Sequence, residues 1–112
     1  MQKIDFAKAI INVDDKPLTD PVFDDKGNPT GEREVVLFKT LAIRALMAKE
    51  EGLPGEKMLK RFTLAKQIQK SNVVDLTSDQ VVELKKCIEK NYSIPLIYGN
   101  FYELLESPVK QD

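Results

Sequence analysis

EREVVLFKTLAIRALMAKE, residues 32 to 50, is where the chain changes character. Glu34 to Phe38 reads as the end of a returning strand that runs into a helix over Leu37 to Glu50. Leu37, Leu41 and Ala45 form one stripe at helical spacing, Phe38, Ala42 and Leu46 form the next, and Ile43 and Met47 add a flank. A helix apolar over so much of its surface belongs at the centre of a fold. Leu41 is therefore expected in the core.

On the N-terminal side, residues 1–36 carry eight acids against five bases and are rich in turn dipeptides. Ile4-Asp5-Phe6 alternates and Ala9 to Val13 is mostly apolar, so two or three strands are expected before the first helix. On the C-terminal side, Gly52-Leu53-Pro54-Gly55 separates the first helix from a second, about Glu56 to Lys70. Met58, Phe62, Ala65 and Ile68 share one face of it and are expected inward. Thr77 and Gln80 have the spacing of a capping box, opening a third helix to about Lys90 with Val81, Leu84 and Ile88 inward. Pro95 suits the first turn of a fourth helix, and Pro108 ends it. The expected fold is α+β: an N-terminal β-hairpin or small antiparallel sheet packed on a bundle of about four short helices. Residues 1–112 form one domain, with a turn-rich part (1–36), a helical part (37–106) and a loose tail (107–112).

With 17 basic and 18 acidic residues the net charge is −1, which argues against bulk attraction to nucleic acid or anionic membrane. There is no histidine, which removes the commonest general base and transition-metal ligand. The single Cys87 cannot form an internal disulfide, and it lies at the edge of an apolar helix face with only lysines to activate it. It reads as structural. No stretch reads as a signal peptide or a membrane span, and the expected setting is a reduced cytoplasm.

Two similar stretches, VDDKPLTDPV (13–22) and FDDKGNPTGE (23–32), raise the question of metal loops. A calcium loop of the EF-hand kind needs oxygen ligands at positions 1, 3 and 5, glycine at 6 and an acid at 12. Counting from Asp24 puts Lys26, Pro29 and Val35 at positions 3, 6 and 12. Counting from Asp14 puts Lys16 third and Thr19 sixth. An ammonium group repels the ion it would have to bind, so both stretches read as turns. The clustered aspartates likewise read as solvated turn residues rather than as a catalytic pair. No metal, cofactor or catalytic residue is assigned, and the chain is read as non-enzymatic.

Three surfaces remain as candidates for binding: the fourth helix, the exposed edge of the N-terminal hairpin and the second helix. The fourth helix gathers Ile97, Tyr98, Phe101, Tyr102, Leu104 and Leu105 on one broad arc. Tyr98, Phe101, Tyr102 and Leu105 are the expected partner-binding residues, because tyrosines bordering an apolar stripe suit interfaces. The alternative is that this stripe only closes the core. The second helix offers a basic face, Lys60, Lys66 and Lys70, which reads first as a solvated helix face, then as a surface for an acidic protein and last for nucleic acid.

The opening Lys3-Ile4-Asp5-Phe6 with its aspartate-containing turn, LKRFTLAKQI (59–68) and VDLTSDQVVELKKCIEKNYSIPLIYGNFYELLE (74–106) resemble small accessory proteins of tailed bacteriophages and prophages. The resemblance covers most of the chain and lies in pattern and order, without a catalytic motif. It implies a phage-encoded protein of the bacterial cytoplasm, or of the virion. The expected function is an interaction or adaptor protein that offers a preformed surface to a host or phage protein. A homo-oligomeric virion or tail-assembly component is the alternative, and a nucleic-acid-binding regulator the second.

Because neither Asp-Asp-Lys stretch spaces ligands for an ion, calcium or magnesium should leave the melting temperature unchanged. A saturable rise with ion concentration, abolished by Asp24→Ala, would show instead that a site exists.

Overall fold

The computed structural model describes residues 2–106, so the loose tail expected at 107–112 lies outside the described residues. The elements in chain order are β1 (Gln2–Asp5), β2 (Thr19–Phe23), β3 (Pro29–Val35), α1 (Phe38–Leu46), α2 (Gly55–Lys70), β4 (Val73–Leu76), α3 (Ser78–Asn91) and α4 (Pro95–Glu106). The fold is mixed α+β, with an N-terminal hairpin and four helices, as the sequence suggests. Among the described residues no helix is long and apolar enough to cross a membrane.

The strands form two separate antiparallel pairs, β1 with β4 and β2 with β3. β4 was not expected; Val73 to Leu76 is only four residues long and sits between two strong helices. Its register with β1 sets Ile4 opposite Val74 and Gln2 opposite Leu76. Ile4, Val74 and Leu76 are all buried, so this ribbon presents one face to the helices. The Phe6 amide donates to the Asn72 carbonyl at 2.7 Å and carries the pairing one step further.

α1 is central, as its double stripe predicts: Phe38, Leu41, Ala42, Ala45 and Leu46 are buried. No side chain caps its N-terminus. The Phe38 and Lys39 amides, orphaned at a helix start, donate instead to the carbonyls of Lys8 and Phe6. The helix ends at Leu46 rather than Glu50, and the released segment turns through Gly52 (φ +75°), a conformation that suits glycine. α3 begins with the expected capping box, Thr77 Oγ1 accepting from the Gln80 amide at 3.1 Å and Gln80 Oε1 from the Thr77 amide at 2.9 Å. α4 packs on α3 and sends the Phe101 ring edge-on against Phe38, with centroids 4.9 Å apart. The Asn100 side chain exchanges two 2.9 Å hydrogen bonds with the backbone of Ile11, so α4 also holds the N-terminal segment.

The β2–β3 hairpin stands apart. All seven residues of β3 are exposed. The Cα radius of gyration, 14.9 Å, exceeds the about 13 Å expected for a compact chain of this length, consistent with a projecting arm. Ile10, Leu18 and Val36 lash the base of the arm to the core, Leu18 donating to Ile10 and Val36 to Leu18. At its tip the Asp24 carboxylate accepts from the Lys26 and Asn28 amides, and Gly27 takes φ +83°. At its foot Asp14 accepts from the Lys16 amide, and Asp15 takes φ +64°. Both Asp-Asp-Lys stretches are turns.

One expectation about the core is overturned. Met58 and Phe62 face solvent, Phe62 with 46% exposure, whereas Arg61, Leu64, Ala65 and Ile68 form the buried face of α2. Leu41→Ala should therefore cost about 2–5 kcal/mol through the cavity it leaves. Phe62→Ala should cost about 0.5 kcal/mol, in the range of surface changes. Urea melts of the two variants check the difference, and equal losses would contradict this placement of α2.

Candidate functional site

α2 has a second apolar stripe, and it is the one that faces water. Met58, Leu59 and Phe62 lie roughly a third of a turn around the helix from the buried stripe, at 100° per residue. Leu59 is 65% exposed. Lys66 and Lys70 run beside this stripe, the Lys66 ammonium 5.4 Å from the centre of the Phe62 ring. Leu59 also borders a groove of about 580 Å³ between α2 and the start of α3, lined on one side by Lys57 and Lys60 and on the other by Asp79 and Glu83. Of the basic face expected from the sequence, Lys60 makes a long 3.8 Å contact with Glu56, and both side chains are solvated.

What turns this stripe outward is Arg61. Its guanidinium is buried, with 7% of the residue exposed. Nε donates to Glu83 Oε1 at 2.8 Å, and Glu50 Oε1 lies 3.5 Å from the other end of the fork. Glu50 also accepts from Lys90 at 3.0 Å. Four residues from α2, α3 and the α1–α2 connection thus share one charge cluster. Burial alone would lower the Arg61 pKa, but the Glu83 hydrogen bond and the surrounding carboxylates outweigh it and raise it. The hydrogen bond from Lys90, helped by the Arg61 charge, holds the Glu50 carboxyl below its ordinary value against the opposing effect of burial.

Cys87 lies beside this cluster and is buried. Burial raises its pKa, only partly offset by Arg61, so the thiol stays protonated as its structural reading requires.

α4 does not provide the surface expected of it. Phe101 and Leu105, named as partner-binding residues, are buried with Ile97 and Leu104, because α4 closes the core over Phe38 and α3. Tyr98 is half-buried against the core. Tyr102 is exposed on one side, while Lys85 lies 4.8 Å above its ring and pairs with Glu106. The tyrosine edge is a rim, whereas α2 holds Met58, Leu59 and Phe62 together in water. Of the inward face expected for α2, Ala65 and Ile68 are buried while Met58 and Phe62 face water, because Arg61 and Leu64 complete the buried face in their place.

Comparison with protein-family models, curated proteins and solved structures found no match.

The charge cluster generates a pH dependence. Because the folded pKa of Glu50 is depressed, its contribution to stability is fully present above the ordinary value of 4.5 and is lost as pH falls through the lower folded value. Glu50→Gln should flatten this part of the acid limb in thermal melts taken between about pH 5 and pH 2. Arg61→Met, which leaves Glu83 without its cation while Glu50 keeps Lys90, should cost about 3 kcal/mol at neutral pH. An acid limb unchanged in Glu50→Gln would remove Glu50 from the cluster.

Proposed function

We propose that this chain is a non-enzymatic interaction protein, encoded by a phage or prophage as its sequence resemblance implies, which binds another protein through the exposed face of α2. The carrying observation is the contiguous stripe of Met58, Leu59 and Phe62, bordered by Lys66 and Lys70 and by a groove. Large apolar side chains on a stable helix lose nothing in fold by being covered, and each gains from leaving water. The lysines around them select an acidic counterpart and speed its approach. The surface is preformed: the Arg61 cluster on one side and the Leu64, Ala65 and Ile68 packing on the other fix the orientation of the helix. The carboxylate of Asp24 is occupied by backbone amides, and the Cys87 thiol is held protonated, so the groups most suggestive of chemistry have structural roles.

Nucleic-acid binding through the same lysines has weaker support. The net charge of −1 offers no bulk attraction to phosphates, and Met58, Leu59 and Phe62 suit protein contacts.

A photo-crosslinking residue placed at Leu59 tests this reading in bacterial cytoplasm. A discrete protein adduct is expected from Leu59 and not from an exposed position on another element, Lys8. Adding Phe62→Ser should reduce the adduct at least tenfold without lowering the melting temperature. Equal crosslinking from both positions would overturn the reading.

A further inference from the structure

We propose that the partner of the α2 face is the projecting hairpin of a second copy of this chain. The inference rests on the reading of α2 as a binding face and names its occupant. The two surfaces are opposite in charge. Residues 19–35 hold five acidic residues against two basic ones, whereas α2 holds four lysines and the internally paired Arg61 against one acid, Glu56. In the hairpin register Asp20 stands directly opposite Glu34. Like charges opposed across an antiparallel pair destabilise it. Neither acid has a cationic partner among the described residues; the neighbouring Arg33 donates Nε and Nη2 to the Thr19 hydroxyl and carbonyl. On α2, Lys66 and Lys70 likewise have no carboxylate partner among the described residues.

The dimensions match as well. Directly opposed strand residues lie about 5 Å apart, and helix residues four apart are separated by about 6 Å along the axis. One Asp20–Glu34 pair can therefore meet one Lys66–Lys70 pair. Reciprocal docking, each arm on the other copy's α2, covers both pairs of surfaces at once and closes a two-fold dimer.

A charge exchange followed by sedimentation equilibrium tests the proposal. The wild-type chain of 12.7 kDa should approach twice that mass as concentration rises at low salt, with the dissociation constant at least tenfold weaker in 1 M salt. Asp20→Lys with Glu34→Lys should be monomeric, and so should Lys66→Glu with Lys70→Glu. An equimolar mixture of the two should dimerise again, because each reversed surface then finds its complement. The neutral pair Asp20→Asn with Glu34→Gln, weakened but not charge-repelled, serves if a reversal disturbs folding by circular dichroism. A monomeric wild type at every concentration, a dimer that survives both reversals, or a mixture that stays monomeric would overturn the proposal. If the wild type is monomeric while Leu59 still crosslinks to an acidic protein, self-docking fails and the interaction reading stands. If the Leu59 position captures nucleic acid instead, both fail.

Discussion

The pairing of β1 with β4 decides where the rest of the chain can lie. It joins residues about seventy positions apart and places Ile4, Phe6, Val74 and Leu76 among the buried side chains. The same N-terminal segment then feeds the start of α1, whose first amides donate to the carbonyls of Phe6 and Lys8. Lys39 adds a hydrogen bond from its ammonium group to Asn72, next to β4. With Ile4, Phe6 and Ile10 buried and Val36 bonded back to Leu18, the intervening chain has to leave the core and return. A hairpin is the shortest way to do so with its backbone groups paired. The arm follows from the constraint at its base.

The second determinant is the phase of α2. A guanidinium taken from water is costly unless its donors are met, and Glu83 from α3 and Glu50 from the α1–α2 connection meet them. Burying Arg61 rotates Met58, Leu59 and Phe62 toward solvent. The exposed apolar stripe is thus tied to a buried charge cluster, and a function assigned to the stripe depends on that cluster for its geometry. The short α1 belongs to the same arrangement: ending at Leu46 frees Glu50 to bend back toward Arg61 and Lys90.

Much of the architecture was legible because its causes are local. The double stripe of α1, the Thr77–Gln80 cap, Pro95 in the first turn of α4 and the two Asp-Asp-Lys turns all depend on neighbours within a few residues. β4 escaped because its partner is β1, although the alternating burial of Val73 to Leu76 left a faint period of two. The phase of α2 escaped for the same reason, since Arg61 goes inward only when two distant glutamates arrive. For α4 the broad apolar arc suggested surplus surface. Phe38 and α3 use it, and Phe101 and Leu105 are core. The candidate surface was therefore half-read: the basic residues of α2 were in view, but Met58 and Phe62 were expected inside and Leu59 was not singled out.

The account holds that the core is complete without the arm, which is therefore free for docking. Its base supplies the direct test, because the Val36 amide already donates to the Leu18 carbonyl at 2.9 Å, as in a closed turn. Residues 19–35 can be removed and Leu18 joined to Val36 through Asn-Gly, a pair suited to a two-residue turn. The account predicts a cooperative thermal transition for this shortened chain, with stability within about 1 kcal/mol of the full-length protein. Loss of the cooperative transition would show that the hairpin is part of the core, and would contradict the account.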